Sequence, residues 1–462
     1  MEVFMKLIYD VQDKPKFGQI IIFAFQQLLA ILAATIAVPA ITNGTVANVF
    51  GADAPMMSQS AALFGAGVGT IVYQLFTKFK SPVFLGSSFA FLGSMAAAFA
   101  GALSASAGYA GLIIGAGMAG LVYVVIAVIV KFAGVKWINR LMPPVVIGPT
   151  VAIIGLSLAG NAISDALKGA VNNGSAYEMN PVGWVSFACA MVTLMAVICC
   201  SIRGKRIMKL IPFIIGIIAG YIAALIFTLI GNATGNDTLK VLNFSAFDNM
   251  KWVPDFTFVE GFKGFREISL EYIATLAVAY VPVAFVVFAE HLADHKNLSS
   301  IIGTDLLEKP GLHRTLLGDG VGSIAGAFFG GCPNTTYGES IGCVAITGNA
   351  SVITILVTAI MAIGASFLAP FVTFLATIPN SVMGGVCITL YGFIAVSGLK
   401  MLQPVDLNDN RNLFTASVIL IAGIGGMALK IGSVTLTSIA CALILGILVN
   451  LQFMVFGKKD KK

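Results

Sequence analysis

Long apolar stretches follow one another along almost the whole chain and are separated by short polar turns. A helix needs about 20 apolar residues to cross roughly 30 Å of hydrocarbon. Twelve stretches are close to that length or longer: residues 17–42, 58–77, 108–131, 143–161, 182–202, 209–231, 271–292, 313–331, 350–378, 381–399, 412–430 and 434–457. The pattern predicts an all-α polytopic membrane protein.

Two further apolar stretches are shorter and are interrupted by polar, helix-breaking residues. One contains Gly86-Ser87-Ser88-Phe89 within residues 83–103, and the other contains Cys332-Pro333-Asn334-Thr335-Thr336 before a run that ends at Thr347. Proline lacks a backbone donor and disrupts a helix, while Ser and Thr can cap the helix that follows. With both broken segments counted, the sequence predicts about 14 transmembrane segments.

The distribution of Lys and Arg supports this count. Basic residues are concentrated in loops on the cytoplasmic side of membrane proteins, and they alternate consistently here only if the broken segments also cross the membrane. The basic loops are residues 6–16, 78–80, 131–140, 203–209, 296–314, 400–411 and 458–462. Both termini are therefore predicted to lie in the cytoplasm.

A long polar stretch, residues 231–266, divides the chain into two halves of seven segments. Each half begins with a span that contains a proline, Pro39 or Pro282, and each has a broken third span. Because seven is odd, the second half must be inverted relative to the first. Corresponding broken segments in two inverted repeats indicate a solute site near the middle of the membrane.

Composition excludes a soluble protein. The 462 residues are 58% hydrophobic and only 10% charged, whereas soluble domains carry about 25% charged residues. The net charge of +6 is scattered over short loops and gives no patch that would bind nucleic acid. The seven cysteines lie in apolar stretches without metal-ligand spacing to histidine, so we expect free thiols, no metal and no cofactor.

Two carboxylates stand within this apolar background. Glu290 ends the apolar run of the eighth segment, and Glu339 follows the break in the tenth. A carboxylate at membrane depth is costly, so it is expected to be functional. The half-helices after the breaks would offer free N–H groups, and Phe89 and Tyr337 could offer stacking faces. Such a site suits a planar ligand with carbonyl oxygens.

Further polar groups follow Glu290 on the same predicted helix. Asp294 lies one turn later on the same face, where it could bind a proton, a cation or a donor-bearing solute. His291 and His295 are predicted to form the wet cytoplasmic end of that helix, and the alternative for Asp294 is that it belongs to the same wet end.

Two polar residues lie inside other apolar spans. Asp319 is either a structural acceptor for backbone N–H groups or a functional group, and the sequence leaves both open. Gln27 is predicted to make a structural hydrogen bond near the site rather than to bind a solute.

These motifs resemble those of bacterial uracil permeases in the nucleobase–ascorbate transporter (nucleobase–cation symporter) family. The string Pro333–Gly342 looks like the substrate-binding segment of that family, and the similarity covers essentially the whole chain in order. Other similar motifs are Leu85–Phe91, Ala289–His291, Asp305–Leu307 and Pro310–Arg314.

The resemblance implies a fold of two inverted seven-segment repeats divided between two domains. A core domain would comprise residues 17–132 (segments 1–4) and 271–378 (segments 8–11). A gate domain would comprise residues 137–231 (segments 5–7) and 381–457 (segments 12–14). Short antiparallel strands and half-helices in segments 3 and 10 would face each other at the site.

The resemblance also implies a site and an activity. Glu290 and Glu339 would hydrogen-bond a uracil ring, and the backbone at Phe89 and Gly338 would meet its carbonyls. The pocket would also be lined by Ala34, Tyr337 and Tyr391. The protein would be a transporter and not an enzyme, importing uracil across the cytoplasmic membrane by proton symport through Glu290 and Asp294. Its partners would be uracil, the proton, membrane lipid and a second copy of the chain bound through the gate domains.

Three positions depart from the family pattern. Asp294 stands where some uracil permeases have histidine, which leaves open the partner of Glu290 in proton coupling. Ser340 stands in place of asparagine, and Gln27 in place of a common histidine. Purine and xanthine members usually carry glutamine at position 339, so Glu339 favours uracil. The alternatives are a purine or xanthine permease of this family, or an anion transporter or channel of the same fold, and paired carboxylates disfavour an anion.

Overall fold

The computed structural model describes residues 7–134, 136–205, 208–209, 211–431 and 434–456. In the first half the helices are α1 (Phe17–Phe50), α2 (Gln59–Phe76), α3 (Leu92–Ala100), α4 (Ala105–Ala133), α5 (Lys136–Leu141), α6 (Pro144–Ser157), α7 (Ala159–Ala166), α8 (Pro181–Arg203) and α9 (Pro212–Thr234). Next come α10 (Thr257–Gly264), α11 (Leu270–Ile302), α12 (Leu312–Gly330), α13 (Gly338–Thr347), α14 (Val352–Ser366), α15 (Ala369–Ala376), α16 (Asn380–Lys400), α17 (Asn410–Ile424) and α18 (Ser438–Phe456).

Three two-stranded antiparallel sheets complete the described fold. They pair β1 (Leu85–Ser87) with β4 (Asn334–Thr336), β2 (Val171–Asn172) with β3 (Tyr177–Glu178), and β5 (Leu429–Ile431) with β6 (Val434–Leu436). The first pair joins the two broken segments, as the resemblance implied.

Several helices are long and apolar enough to cross a membrane. Within the described ranges there are seven, or eight if the bent pair α14–α15 is one span. They are α1, α4, α6 with α7, α8, α9, α11 and α16. The prediction of an all-α polytopic membrane protein is confirmed. The count of 14 adds shorter helices and half-helices and stays a prediction, as does the orientation, for which residues 1–6 and 457–462 lie outside the described ranges.

The helix predicted over residues 350–378 is in fact two helices. α14 and α15 meet at an angle of 81°, and Leu368 between them has non-helical dihedrals (φ −83°, ψ 87°). Pro370, in the first turn of α15, has no N–H to continue the hydrogen bonding of α14.

The junction between the last two predicted spans also differs from the prediction. Where the helices over 412–430 and 434–457 were expected to adjoin, α17 ends at Ile424 and a hairpin of β5 and β6 follows. Gly426 has a positive φ of 69°, a conformation that glycine adopts without steric cost and that commonly ends helices.

Close helix packing in the half of the fold that holds β1 and β4 depends on small residues. A Cβ added to Gly65 of α2 would lie 2.6 Å from the carbonyl oxygen of Gly326 in α12. One added to Gly69 would lie 2.7 Å from that of Gly322. Glycines allow such backbone contact between membrane helices, and α2 and α12 together hold the paired strands from one side.

Candidate functional site

The paired strands β1 and β4 provide hydrogen-bond partners for the backbone at the two breaks. Non-helical backbone in a membrane must find partners within the protein. The register is Leu85 opposite Thr336, Gly86 opposite Thr335 and Ser87 opposite Asn334. Two flanking bonds extend the pair: Ser88 N–H donates to the Pro333 carbonyl at 2.9 Å, and Tyr337 N–H to that of Phe84 at 3.1 Å. The breaks are therefore an ordered platform.

Thr70 of α2 anchors the outer edge of this platform. Its hydroxyl accepts the N–H of Leu85 at 2.9 Å and donates to the carbonyl of the same residue at 3.1 Å. The side chain is fully buried, so no solvent can replace these bonds.

We expect Thr70→Val to destabilise the protein by about 1–3 kcal/mol. Valine has nearly the same size as threonine, but it leaves the buried N–H of Leu85 without a hydrogen-bond acceptor. Thr70→Ser keeps the hydroxyl and serves as the control. A lower melting temperature of the detergent-purified valine variant, relative to the serine variant, would support the anchor. Equal melting temperatures would contradict it.

Gln27 and Ser340, two of the departures from the family pattern, contact each other. The Gln27 amide nitrogen donates to the Ser340 carbonyl at 3.3 Å and to its hydroxyl. The same hydroxyl accepts the N–H of Phe84 at 2.9 Å. Gln27 thus makes the structural contact predicted for it, and it fixes α1 to the first turn of α13 and to the chain entering β1.

Tyr337 closes one face of the platform. Its hydroxyl donates to the carbonyl of Ser87 at 2.9 Å. A Cβ added to Gly86 would lie 2.4 Å from the Tyr337 ring, so only glycine leaves room for this contact. The tyrosine ring is buried against the strand pair.

Open space lies beside the start of α13. Gly338 is exposed although the residues of β4 before it are buried, and no atom lies within 4 Å of a Cβ added there. Glu339 is half-buried next to it, in the first helical turn, where the positive end of the helix dipole favours a carboxylate. This is the place at which a solute can meet both a carboxylate and free backbone N–H groups.

Glu290 and Asp294, on α11, form a group of acidic side chains with Glu339. Both are half-buried, and Asp294 accepts a hydrogen bond from Thr336 of β4 at 2.7 Å. The carboxyl groups of Glu290, Asp294 and Glu339 are near enough to repel one another when charged. Ionising all three together is therefore unfavourable.

Phe89 and Tyr391 are in contact although they are about 300 residues apart in the chain. Phe89 follows β1, and Tyr391 belongs to α16. Their rings contact edge to face with centroids 5.5 Å apart. Ala34 is buried on α1. Ala37 and Cys387 are among the residues that line a cavity of about 810 Å³. Ala37 lies about one helical turn from Ala34, and Cys387 about one turn from Tyr391.

The sequence profile of the Permease family, of the xanthine and uracil permease type, matches residues 18–432. The chain belongs to this family. It is 40% identical over 451 residues to a uracil permease of Bacillus caldolyticus. The alignment covers 96% of this chain and 94% of that protein. It is 33% identical over 450 residues to a uracil permease of Escherichia coli K12, covering 97% and 94%.

Solved structures share the fold at low sequence identity. The transmembrane domain of the cyanobacterial bicarbonate transporter BicA aligns with a TM-score of 0.56 and 18% identity, covering 93% of this chain and 96% of that one. The murine Slc26a9 anion transporter in its inward-facing state aligns with a TM-score of 0.64 and 10% identity, covering 96% and 70%. These likenesses concern the fold of this permease alone.

The two histidines of α11 are not at the wet end of a helix, and that prediction is wrong. Both are fully buried because α11 continues to Ile302, ten residues beyond the predicted end at 292. His291 binds Asp319 of α12 at 2.7 Å, and His295 contacts the hydroxyl of Tyr73 at 2.7 Å. Their spacing of four residues, which places them on one helix face, was the signal in the sequence.

Thr70 and Thr336 support the site through hydrogen bonds that the sequence did not predict. Thr70 lies in a span whose glycines and threonines gave no distinct signal, and its role depends on a strand 15 residues away. Thr336 was assigned only as a possible cap. Both roles are set by pairing across the fold and not by local pattern.

Proposed function

We propose that this permease imports uracil across the cytoplasmic membrane by proton symport. The observation that carries the proposal is the open space at Gly338, next to Glu339 and the paired broken segments, with the carboxyl group of Glu290 near enough to that of Glu339 for their charges to interact. Uracil has ring N–H donors and carbonyl acceptors on one planar edge. Carboxylates accept from the donors, and N–H groups at Phe89 and Gly338 donate to the carbonyls.

The carboxylates distinguish this substrate from the alternatives. An anion would be repelled by Glu290 and Glu339, so the transport of anions by the structural neighbours does not extend to this site. A purine or xanthine has a larger ring system with a similar edge, so it is the closer competitor. The acidic side chain at position 339 and the uracil permeases among the relatives favour uracil.

Alternating access in this proposal depends on two domains. Residues 17–132 and 271–378 form the core, which carries the carboxylates, and residues 137–231 and 381–457 form the gate. The edge-to-face contact between Phe89 and Tyr391 then lies on the boundary between them. Movement of the core against the gate would open the site to one side at a time, with Glu290 and Asp294 carrying the coupled proton. Both termini lie in the cytoplasm, and two copies associate through their gates.

The assignment is tested by thermal stabilisation of the purified protein with uracil, xanthine, hypoxanthine and sulfate as separate additions. A ligand that binds only the native state stabilises it by about 2.7 kcal/mol at a concentration of 100 times Kd. We expect a saturable rise in melting temperature with uracil and none with sulfate. A rise with xanthine and not with uracil would assign the protein to purines, and a rise with sulfate alone would refute nucleobase transport.

A further inference from the structure

The cavity of about 810 Å³ approaches the proposed solute site from one side. On α1 it is lined by Ala37 and Ile41, which lie further along the helix than Ala34. On α16 it is lined by Cys387, about one turn before Tyr391. The cavity therefore lies between a helix of the proposed core and a helix of the proposed gate, on the side of the site toward which α1 ends.

A small apolar contact lies elsewhere along the same boundary. Ala30 of α1 and Cys343 of α13 are buried against each other, and the half-buried side chain of Ile211 packs on them. Ile211 immediately precedes α9, a helix of the proposed gate. The contact therefore joins two helices that contribute to the site in the core to the start of a gate helix.

The positions of the contact residues along α1 and α13 place this contact on the side of the site that faces the beginning of the chain. Ala30 lies about one turn before Ala34 in α1. Cys343 lies in the second turn of α13, and this helix leads on to Gly348, whose carbonyl accepts the N–H of Ile8 at 2.7 Å. Both helices thus lead from the contact toward the N-terminal segment, whereas the cavity lies on the opposite side of Ala34.

Ala30 and Cys343 form one surface because α1 and α13 are bonded to each other beside them. The amide nitrogen of Gln27, about one turn before Ala30, donates to the carbonyl of Ser340, about one turn before Cys343, at 3.3 Å. The side chain of Ile211 has no polar atom, so its separation from this surface exposes only a small apolar area. Such a contact can break and form again in each cycle of a domain movement.

We propose that Ile211 closes the site toward the face at which the chain begins, and that Ala30 and Cys343 are the surface on which it closes. The structure is then the state in which the site opens through the cavity toward the end of α1. In the opposite state Ile211 leaves this surface as the gate shifts against the core. The movement rests on the proposed alternating access, whereas the contact itself does not depend on the identity of the solute.

The contact is tested first without any solute, by alkylation of the native Cys343 with N-ethylmaleimide. Cys199→Ser removes the exposed cysteine from every variant. We expect Ile211→Ala to raise the alkylation rate of Cys343 severalfold, because alanine is too short to cover it. The matched control is Ile214→Ala, in the first turn of α9, where the side chain packs against the main apolar core. An unchanged rate in Ile211→Ala would overturn the closure.

An internal control separates opening of the contact from unfolding. Cys189 of α8 is fully buried, and its alkylation rate should stay at the parental value in Ile211→Ala. If the rates at Cys189 and Cys343 rise together, the variant unfolds, and the decision passes to cross-linking, which leaves Cys343 as it is.

Cross-linking tests the closure directly with Ile211→Cys, which places a second thiol against Cys343. We expect copper phenanthroline or a short bis-methanethiosulfonate reagent to join the two residues and to abolish both uptake and exchange of labelled uracil. Thermal stabilisation by uracil should be retained, because the site stays open through the cavity, and a reductant should restore transport. Ile211→Cys combined with Cys343→Ser is the control and should transport uracil throughout the same treatment.

Two outcomes of the cross-linking would refute the closure. One is failure of the thiols at positions 211 and 343 to join, and the other is full transport by the cross-linked protein. If the thiols join but neither the parent protein nor the variants respond to uracil, the proposed function fails while the contact stands.

Discussion

Glu339→Gln is expected to weaken uracil binding by roughly ten- to over a hundredfold, because a hydrogen bond to a charged group contributes about 1.5–3 kcal/mol. Glu339 lies half-buried in the first turn of α13, beside the exposed backbone of Gly338. Glutamine has the same size, but its amide oxygen is a weaker acceptor, and its NH₂ group can face a ring N–H only with repulsion. Binding is measured by titration calorimetry on the detergent-purified protein.

The control for this variant is Glu178→Gln, which changes an exposed glutamate in the β2–β3 hairpin. Both variants should be monodisperse and should melt at nearly the parental temperature without ligand. Unchanged uracil affinity in a folded Glu339→Gln protein would remove Glu339 from the site. Lost affinity in the control would show that the assay responds to charge in general.

The broken segments were predictable because local chemistry determines them. Pro333 and the glycines and hydroxyl residues around it cannot continue an apolar helix, and the structure has strands and half-helices at both breaks. That two carboxylates would lie near them also followed from the sequence, since an acidic residue in an apolar run is conspicuous. The pairing register of β1 with β4 joins residues about 250 positions apart, which no local pattern specifies.

The buried histidines illustrate why the rest was not predictable. Hydropathy locates the apolar part of a helix, but His291 and His295, in the polar continuation of α11, are buried where they hydrogen-bond to residues of α12 and α2. Burial of a polar residue depends on which partners reach it. Here Asp319 and Tyr73, distant in sequence, supply hydrogen bonds that make burial acceptable. The bend between α14 and α15 differs from this case, because Pro370 in the local sequence indicates it.

The proposed proton coupling depends on the surroundings of Glu290. It lies on α11, half-buried, with Asp294 one turn later and Glu339 near enough to repel it when both are charged. Ionising all of these groups together is unfavourable, so protonation of one is linked to the charge of the others. Asp294 is further committed to Thr336 by a hydrogen bond of 2.7 Å. Under the proposed proton symport, Glu290 is therefore the carboxyl that we expect to gain and release the proton.

We expect Glu290→Gln to abolish accumulation of uracil driven by a proton gradient, because the amide keeps the size of the side chain but cannot carry a proton. Exchange of labelled for unlabelled uracil, which needs no net proton movement, should survive in part. The measurement is uptake into proteoliposomes with an inward proton gradient, with and without a protonophore. Glu271→Gln, an exposed position in the first turn of the same helix, is the matched control and should accumulate uracil normally. Accumulation by Glu290→Gln that the protonophore abolishes would show that the coupled proton is carried elsewhere, and accumulation by the parent protein that persists without a gradient would refute proton symport itself.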